Sequence, residues 1–181
     1  TPEEDKPYVA ESKEPTSQNV TFKTVIWDDS SMNTDGIIEI QLFEGQYHDG
    51  WQTAADLGML VSKDVVPGTY PVKGTDETET FMASIGQLYN FNFPSYWCTL
   101  NSSMIMKDIW YITSGEITIT GNAQSGRSIE GTVYSYFGSS LTFKYMSAGT
   151  GLDSVKEGHQ AVKLLRNGHI IIMHNGKQYS L

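Results

Sequence analysis

The stretch GQLYNFNFPSYWC, residues 86–98, gathers the side chains best suited to recognition chemistry. Tyr89, Phe91 and Phe93 alternate with Asn90 and Asn92, and Pro94 ends the strand pattern ahead of Tyr96 and Trp97. Flat amphipathic rings stack on sugar faces or anchor protein partners, and Asn amides supply directional hydrogen bonds. Tyr96, Trp97, Asn90 and Asn92 are therefore the candidate ligand-binding residues, as an exposed platform at the bend. The same alternation also suits a strand with one apolar core face and one amide face. Cys98 points the other way from Trp97 along a strand, and both directions cannot be solvent in a two-sheet protein, which favours burial of Trp97.

Other chemistry leaves fainter traces. The loop DDSSMNTDG offers Asp28, Asp29, Asn33, Asp35 and Gly36, oxygen donors spaced as in calcium loops. Counting from Ser31, however, the twelfth position is Leu42, where a bidentate Glu is required, so turn chemistry accounts for the loop. His48, His159, His169 and His174 are widely separated, and the last two point to opposite faces of one strand, so no shared metal is expected. There is no Gly-x-Ser-x-Gly elbow, no His-Glu-x-x-His helix and no phosphate-cradling loop ahead of a helix. Glu39, Glu116 and Glu130 fall on outward strand positions, where solvated faces are expected. Neither a catalytic set nor a cofactor is implied. The single cysteine, Cys98, excludes an internal disulfide framework and reads as a small buried hydrophobe.

Positioning such residues is the task of one domain. A chain of 181 residues can bury a core without covalent staples. A formal charge of −9 and an isoelectric point near 4.8 repel phosphate backbones and anionic headgroups, so neither nucleic acid nor a polybasic membrane contact is expected. Residues 1–18, TPEEDKPYVAESKEPTSQ, have no apolar period and read as a disordered N-terminal tether. A tether on a chain that does not begin with Met is what removal of a secretion or lipoprotein signal would leave.

From residue 19 onward the pattern is β. VTFKTVIWDD and GIIEIQLFE alternate, and later short strands recur between Gly, Ser, Asn or Pro at the spacing of an all-β sandwich or barrel. One helical turn is expected, around Gln52 to Leu57. Trp27, Trp51, Trp110 and Tyr111 are expected in the core. Asn167-Gly168 and Asn175-Gly176 are type I′ turn signals that define a three-stranded meander over residues 161–181. They set Leu165 opposite Ile170 and Met173 opposite Gln178. Both faces of the meander are apolar, so it is expected to pack on the body of the domain. The expected fold is a single antiparallel all-β domain, residues 19–181, as a two-sheet β-sandwich, with a closed calycin- or lipocalin-like barrel as the alternative.

PGTYPV, SGEITITG and IEGTVYSYFGSSLTFKY, with the closing KLLRNGHIIIMHNGKQYSL, resemble strand and turn segments of uncharacterised secreted all-β lipoproteins of Bacteroidetes. The resemblance covers about two-thirds of the body and names no site. It implies a cell-envelope module, periplasmic or on the outer surface, whose membrane contact is a lipid anchor outside this chain. In that setting Asp153-Ser154-Val155 matches a short O-glycosylation acceptor. The functional expectation is a non-enzymatic binding module for a glycan or protein partner. A lipocalin-like carrier is the alternative, and a hydrolase comes third. A carrier needs an enclosed apolar cavity, an enzyme convergent acids, and a module only an exposed patch.

Overall fold

The computed structural model describes residues 14–28, 36–46, 48–62, 64–74, 76–84, 95–122 and 125–146, and the backbone of 161–166, 169–174 and 177–179. Among these residues every regular element is a strand: β1 (Ser17–Phe22), β2 (Thr24–Asp28), β3 (Ile37–Phe43), β4 (Gln52–Leu60), β5 (Gly68–Lys73), β6 (Thr80–Met82), β7 (Tyr96–Leu100), β8 (Met106–Asn122), β9 (Gly126–Ser135), β10 (Ser140–Tyr145), β11 (Ala161–Arg166), β12 (His169–His174) and β13 (Lys177–Tyr179). Among the described residues no helix is long and apolar enough to cross a membrane.

The all-β expectation holds, and the arrangement is the closed one of the two expected. β4 pairs with β7, β7 with β8, β8 with β5, β5 with β6, and β6 with β4, so five strands close a ring. Two wings leave it. β3 and β2 extend from β4, while β9, β10 and β1 extend from β8. Pairing in this assembly is antiparallel except for β5 with β6 and β1 with β10. β8 makes the double duty feasible because it is 17 residues long: it pairs with β7 through its first turn-proximal residues and with β9 from Ile112 onward. The register shifts between Ile112 and Ser114, and Gly115 follows at φ +133°, so the strand bends there; beyond it β8 pairs with β5 of the ring on one side and β9 of the wing on the other.

The principal core fills the ring and the space between the wings. Val25, Leu42, Ala55, Trp97 and Trp110 are successive cross-strand partners from β2 to β8 and belong to this one cluster. Inward positions of the other wing add Phe22, Ile117, Ile119, Ile129, Val133, Leu141 and Phe143. Phe22 meets Phe143 edge-on at 5.8 Å between ring centroids. On the opposite face of β3, β4, β7 and β8 a second cluster buries Phe43, Ala54, Tyr96, Cys98, Leu100, Ile109 and Tyr111. These strands are therefore covered on both sides.

Four expectations are corrected, the first two by burial on both faces. Gln52 to Leu57 is not a helical turn but the first part of β4, where Ala54 to Met59 are all buried and period-2 contrast is lost. Glu39 is not solvated: it is buried on the second-cluster side of β3, 3.4 Å from the amide nitrogen that Gln41 donates. Trp51 lies one residue before β4 and is exposed, whereas Trp27 and Trp110 pack partly buried on the core and Tyr111 is buried. Ser17 and Gln18, grouped by composition with the leading segment, are the first residues of β1, and Thr16 is already fixed by its amide donating to Ser139 Oγ. Residues 1–13 lie outside the described residues.

The meander pairs in the register that its Asn-Gly steps dictate: Leu165 opposite Ile170, Lys163 opposite Ile172, and Met173 opposite Gln178. It forms a separate three-stranded sheet, β11-β12-β13.

Candidate functional site

The structure places the two described members of the sequence-derived site inside the protein. Trp97 is 0% exposed and stacks on Trp110, with centroids 5.6 Å apart and planes 11° from parallel. Tyr96 is 2% exposed, and its hydroxyl donates to Asp56 Oδ2 at 3.1 Å. An exposed platform at these two residues is therefore corrected: β7 lies between β4 and β8, so both of its faces meet packed side chains. Asn90 and Asn92 lie outside the described residues, as do Asp29 to Asp35 of the acidic loop, His159 and the Asp153-Ser154-Val155 step.

Tyr96 belongs to a buried polar row. Gln41, Asp56, Tyr96 and Tyr111 are cross-strand partners on β3, β4, β7 and β8, so their side chains share one face. Burial pushes the Tyr96 phenol well above its usual range, with Cys98, Glu39 and Tyr111 adding to the effect. The cavity beside the row is about 20 Å³, room for a single water and no ligand. Its chemistry is that of a buried core row joined by the Tyr96–Asp56 hydrogen bond.

Cys98 borders the same cavity, and burial raises its thiol from 9.0 to about 12. The thiolate is the nucleophile, so folded protein at pH 8 is expected to resist alkylation by iodoacetamide while denatured protein reacts fully. Rapid native labelling, read by mass spectrometry, would contradict this burial. Because the folded thiol keeps its proton above pH 9 while the unfolded one loses it, this group also lowers stability as pH rises from about 9 toward 12.

An open site lies on the other wing. Outward positions of β1, β10, β9, β8 and β5 line up across the sheet in three polar rows. Asn19, Thr142, Thr132, Glu116 and Pro71 form one; Thr21, Lys144, Glu130, Thr118 and Thr69 form the next. Ser17, Ser140, Tyr134 and Ser114 form the third. A shallow, open groove of about 680 Å³ lies on this face over β5, β8, β9 and β10. Two hydroxyl pairs cross its floor, Thr69 Oγ1 to Thr118 Oγ1 at 2.8 Å and Thr132 Oγ1 to Thr142 Oγ1 at 3.0 Å. Each hydroxyl in such a pair has one position fixed and keeps further donor or acceptor capacity for a ligand. Tyr134 stands 47% exposed on the groove wall. Glu116 and Glu130 are exposed and line the same groove.

Sequence reasoning assigned Glu116 and Glu130 to a solvated face and passed over the groove. Alternating Thr, Glu and Tyr read as an ordinary outer sheet face, and which of them line up across strands is set by long-range pairing. The only local signal was the density of Thr in EITITG and EGTVY.

Among the described residues, no group of three or more His, Cys, Asp or Glu side chains is placed to hold a metal ion. No protein-family model matches the chain, and neither curated proteins nor solved structures give a match.

Proposed function

We propose that the protein is a non-enzymatic binding module that holds a glycan in the groove over β5, β8, β9 and β10. The observation that carries this reading is an open space of about 680 Å³ floored by in-register hydroxyls and flanked by an exposed tyrosine. A sugar presents many hydroxyls and one weakly apolar ring face. Thr69, Thr118, Thr132 and Thr142 answer the hydroxyls as donors or acceptors, Glu116 and Glu130 accept, and Tyr134 offers a ring to stack on. The site sits on strands, which hold side chains more rigidly than loops do. A protein partner is the competing occupant, but the groove offers it little of the apolar anchoring that interface centres use. The carrier reading lacks support of this kind, since the described interior of the ring is packed with Leu57, Met59, Phe81 and Trp97. With the resemblance to secreted lipoproteins, the module belongs in this proposal to the cell envelope, held by a lipid anchor.

The test is a glycan panel read by titration calorimetry and by amide chemical-shift mapping. Tyr134→Ala is expected to weaken the best ligand at least tenfold, while the melting temperature stays within about a degree because the side chain is half exposed. Shift changes confined to other strands, or unchanged affinity in Tyr134→Ala, would sink the proposal.

A further inference from the structure

The carboxylates of the groove carry the reading one step further, and this step rests on the glycan proposal. Glu116 is opposite Thr132, and Glu130 is opposite Thr118, so the two acids are diagonal neighbours on β8 and β9. Diagonal neighbours in an antiparallel pair lie about 7–8 Å apart, and like charges so placed repel. Elsewhere in the described structure several exposed acids are engaged, although Asp64 and Asp108 stand open to solvent like the groove pair. Glu44 accepts from the Thr53 amide, Glu77 pairs with Lys73 at 3.2 Å, and Glu79 accepts from the Ser62 hydroxyl at 2.6 Å. Among the described residues neither groove carboxylate has such a partner, and no Lys, Arg or His lines the groove. Lys144 faces Glu130 across β9 and β10 without forming an ion pair.

Two unpaired, mutually repelling acids on a floor of hydroxyls form a surface whose missing complement is cationic and hydrogen-bonding. A divalent metal would need several oxygens within about 2.3–2.6 Å, which these residues do not provide. An ammonium group can sit between carboxylates at ordinary hydrogen-bond distance. The net charge of −9 steers the same class of ligand toward the protein and turns anionic sugars away. We infer that the groove selects an amino-sugar glycan, with the free amines of the sugar received by Glu116 and Glu130.

Titration of the intact chain with four probes decides it: tetramers of glucosamine, N-acetylglucosamine and galacturonate, and tetralysine. The glucosamine tetramer is expected to bind at least tenfold tighter than its acetylated form, and the galacturonate not measurably. Glu116→Gln with Glu130→Gln should abolish that preference, while Asp64→Asn with Asp108→Asn, exposed outside the groove and equal in charge change, should preserve it. The Gln pair is also expected to raise the melting temperature slightly by removing repulsion, which separates loss of preference from loss of fold. Equal binding of acetylated and free-amine tetramers at the groove would overturn this inference and leave the glycan reading standing. Tetralysine binding as tightly as the amino sugar would assign the site to a basic peptide. Binding by none of the four would overturn this inference and leave the glycan reading to the wider panel.

Discussion

Trp97→Ala is expected to cost about 3–5 kcal/mol of stability, the largest effect of any single truncation considered, because a fully buried indole leaves a cavity that its neighbours cannot fill. In a domain of this size that corresponds to a melting temperature lower by about 10 °C or more. The neighbours are themselves held in place: Ala55 on β4 and Trp110 on β8 are its cross-strand partners, and the stacked Trp110 ring loses its contact face. One feature tempers the loss. The Trp97 Nε1 donor is buried with no hydrogen-bond partner, a cost that disappears with the indole. Trp97→Phe, which keeps an aromatic ring and discards the unpaired N–H, is therefore expected to cost much less than Trp97→Ala. Trp51→Ala, at a 54% exposed position, is expected to be nearly silent. A melt of Trp97→Ala close to wild type would refute the placement of this residue at the centre of the core.

That contrast between Trp97 and Trp51 also marks how far the sequence is legible. Alternation located the strands wherever one face is wet: β9 and β10 read correctly because Glu130, Thr132, Tyr134, Thr142 and Lys144 face out while Ile129, Val133, Leu141 and Phe143 face in. The meander register was legible for a different reason, since a two-residue turn fixes every pair behind it. Where both faces are dry the period vanishes, and β4 was mistaken for a helical turn while Glu39 was mistaken for a solvated residue. The fate of Tyr96 and Trp97 depended on what lies beside β7, and strand neighbours set by long-range pairing leave no local trace. Ring closure is of the same kind: β7 joins β4 to β8 across 40 residues of sequence, and nothing in YWCTL announces it. The groove was hidden because its residues are ordinary for an outer sheet face and only the pairing of β5, β9 and β10 around the bent strand β8 brings them together.

The bend is itself open to test through Gly115→Ala. At φ +133° an L-residue is strained, and a methyl group built on this backbone would run into the Thr132 carbonyl oxygen and the Val133 Cα of β9. Those are backbone atoms of a paired strand, so they cannot swing aside as a side-chain tip could. Either β9 is pushed off β8 around the Gly115 and Val133 pair, or the bend straightens and the adjoining ladder of β8 with β5 is disturbed as well. Both outcomes are expensive, and a loss of about 2–4 kcal/mol is expected from backbone strain together with the disturbed ladder. Gly50→Ala supplies the comparison, because nothing lies within 4 Å of a Cβ there and no positive φ is required; it is expected to be neutral. The two changes add the same methyl, so any difference between them measures position alone. The consequence for function follows from where the strain falls. Glu116 and Thr118 on β8 and Glu130, Thr132 and Tyr134 on β9 form most of the groove, and a shift between these two strands changes the spacing of every group a ligand would meet. Protein carrying Gly115→Ala that remains folded at low temperature is thus expected to lose glycan affinity in larger proportion than Tyr134→Ala, although no groove side chain has been altered. Full affinity and an unchanged melt would mean that the β8–β9 ladder accommodates a side chain at this position and that the groove does not depend on the bend.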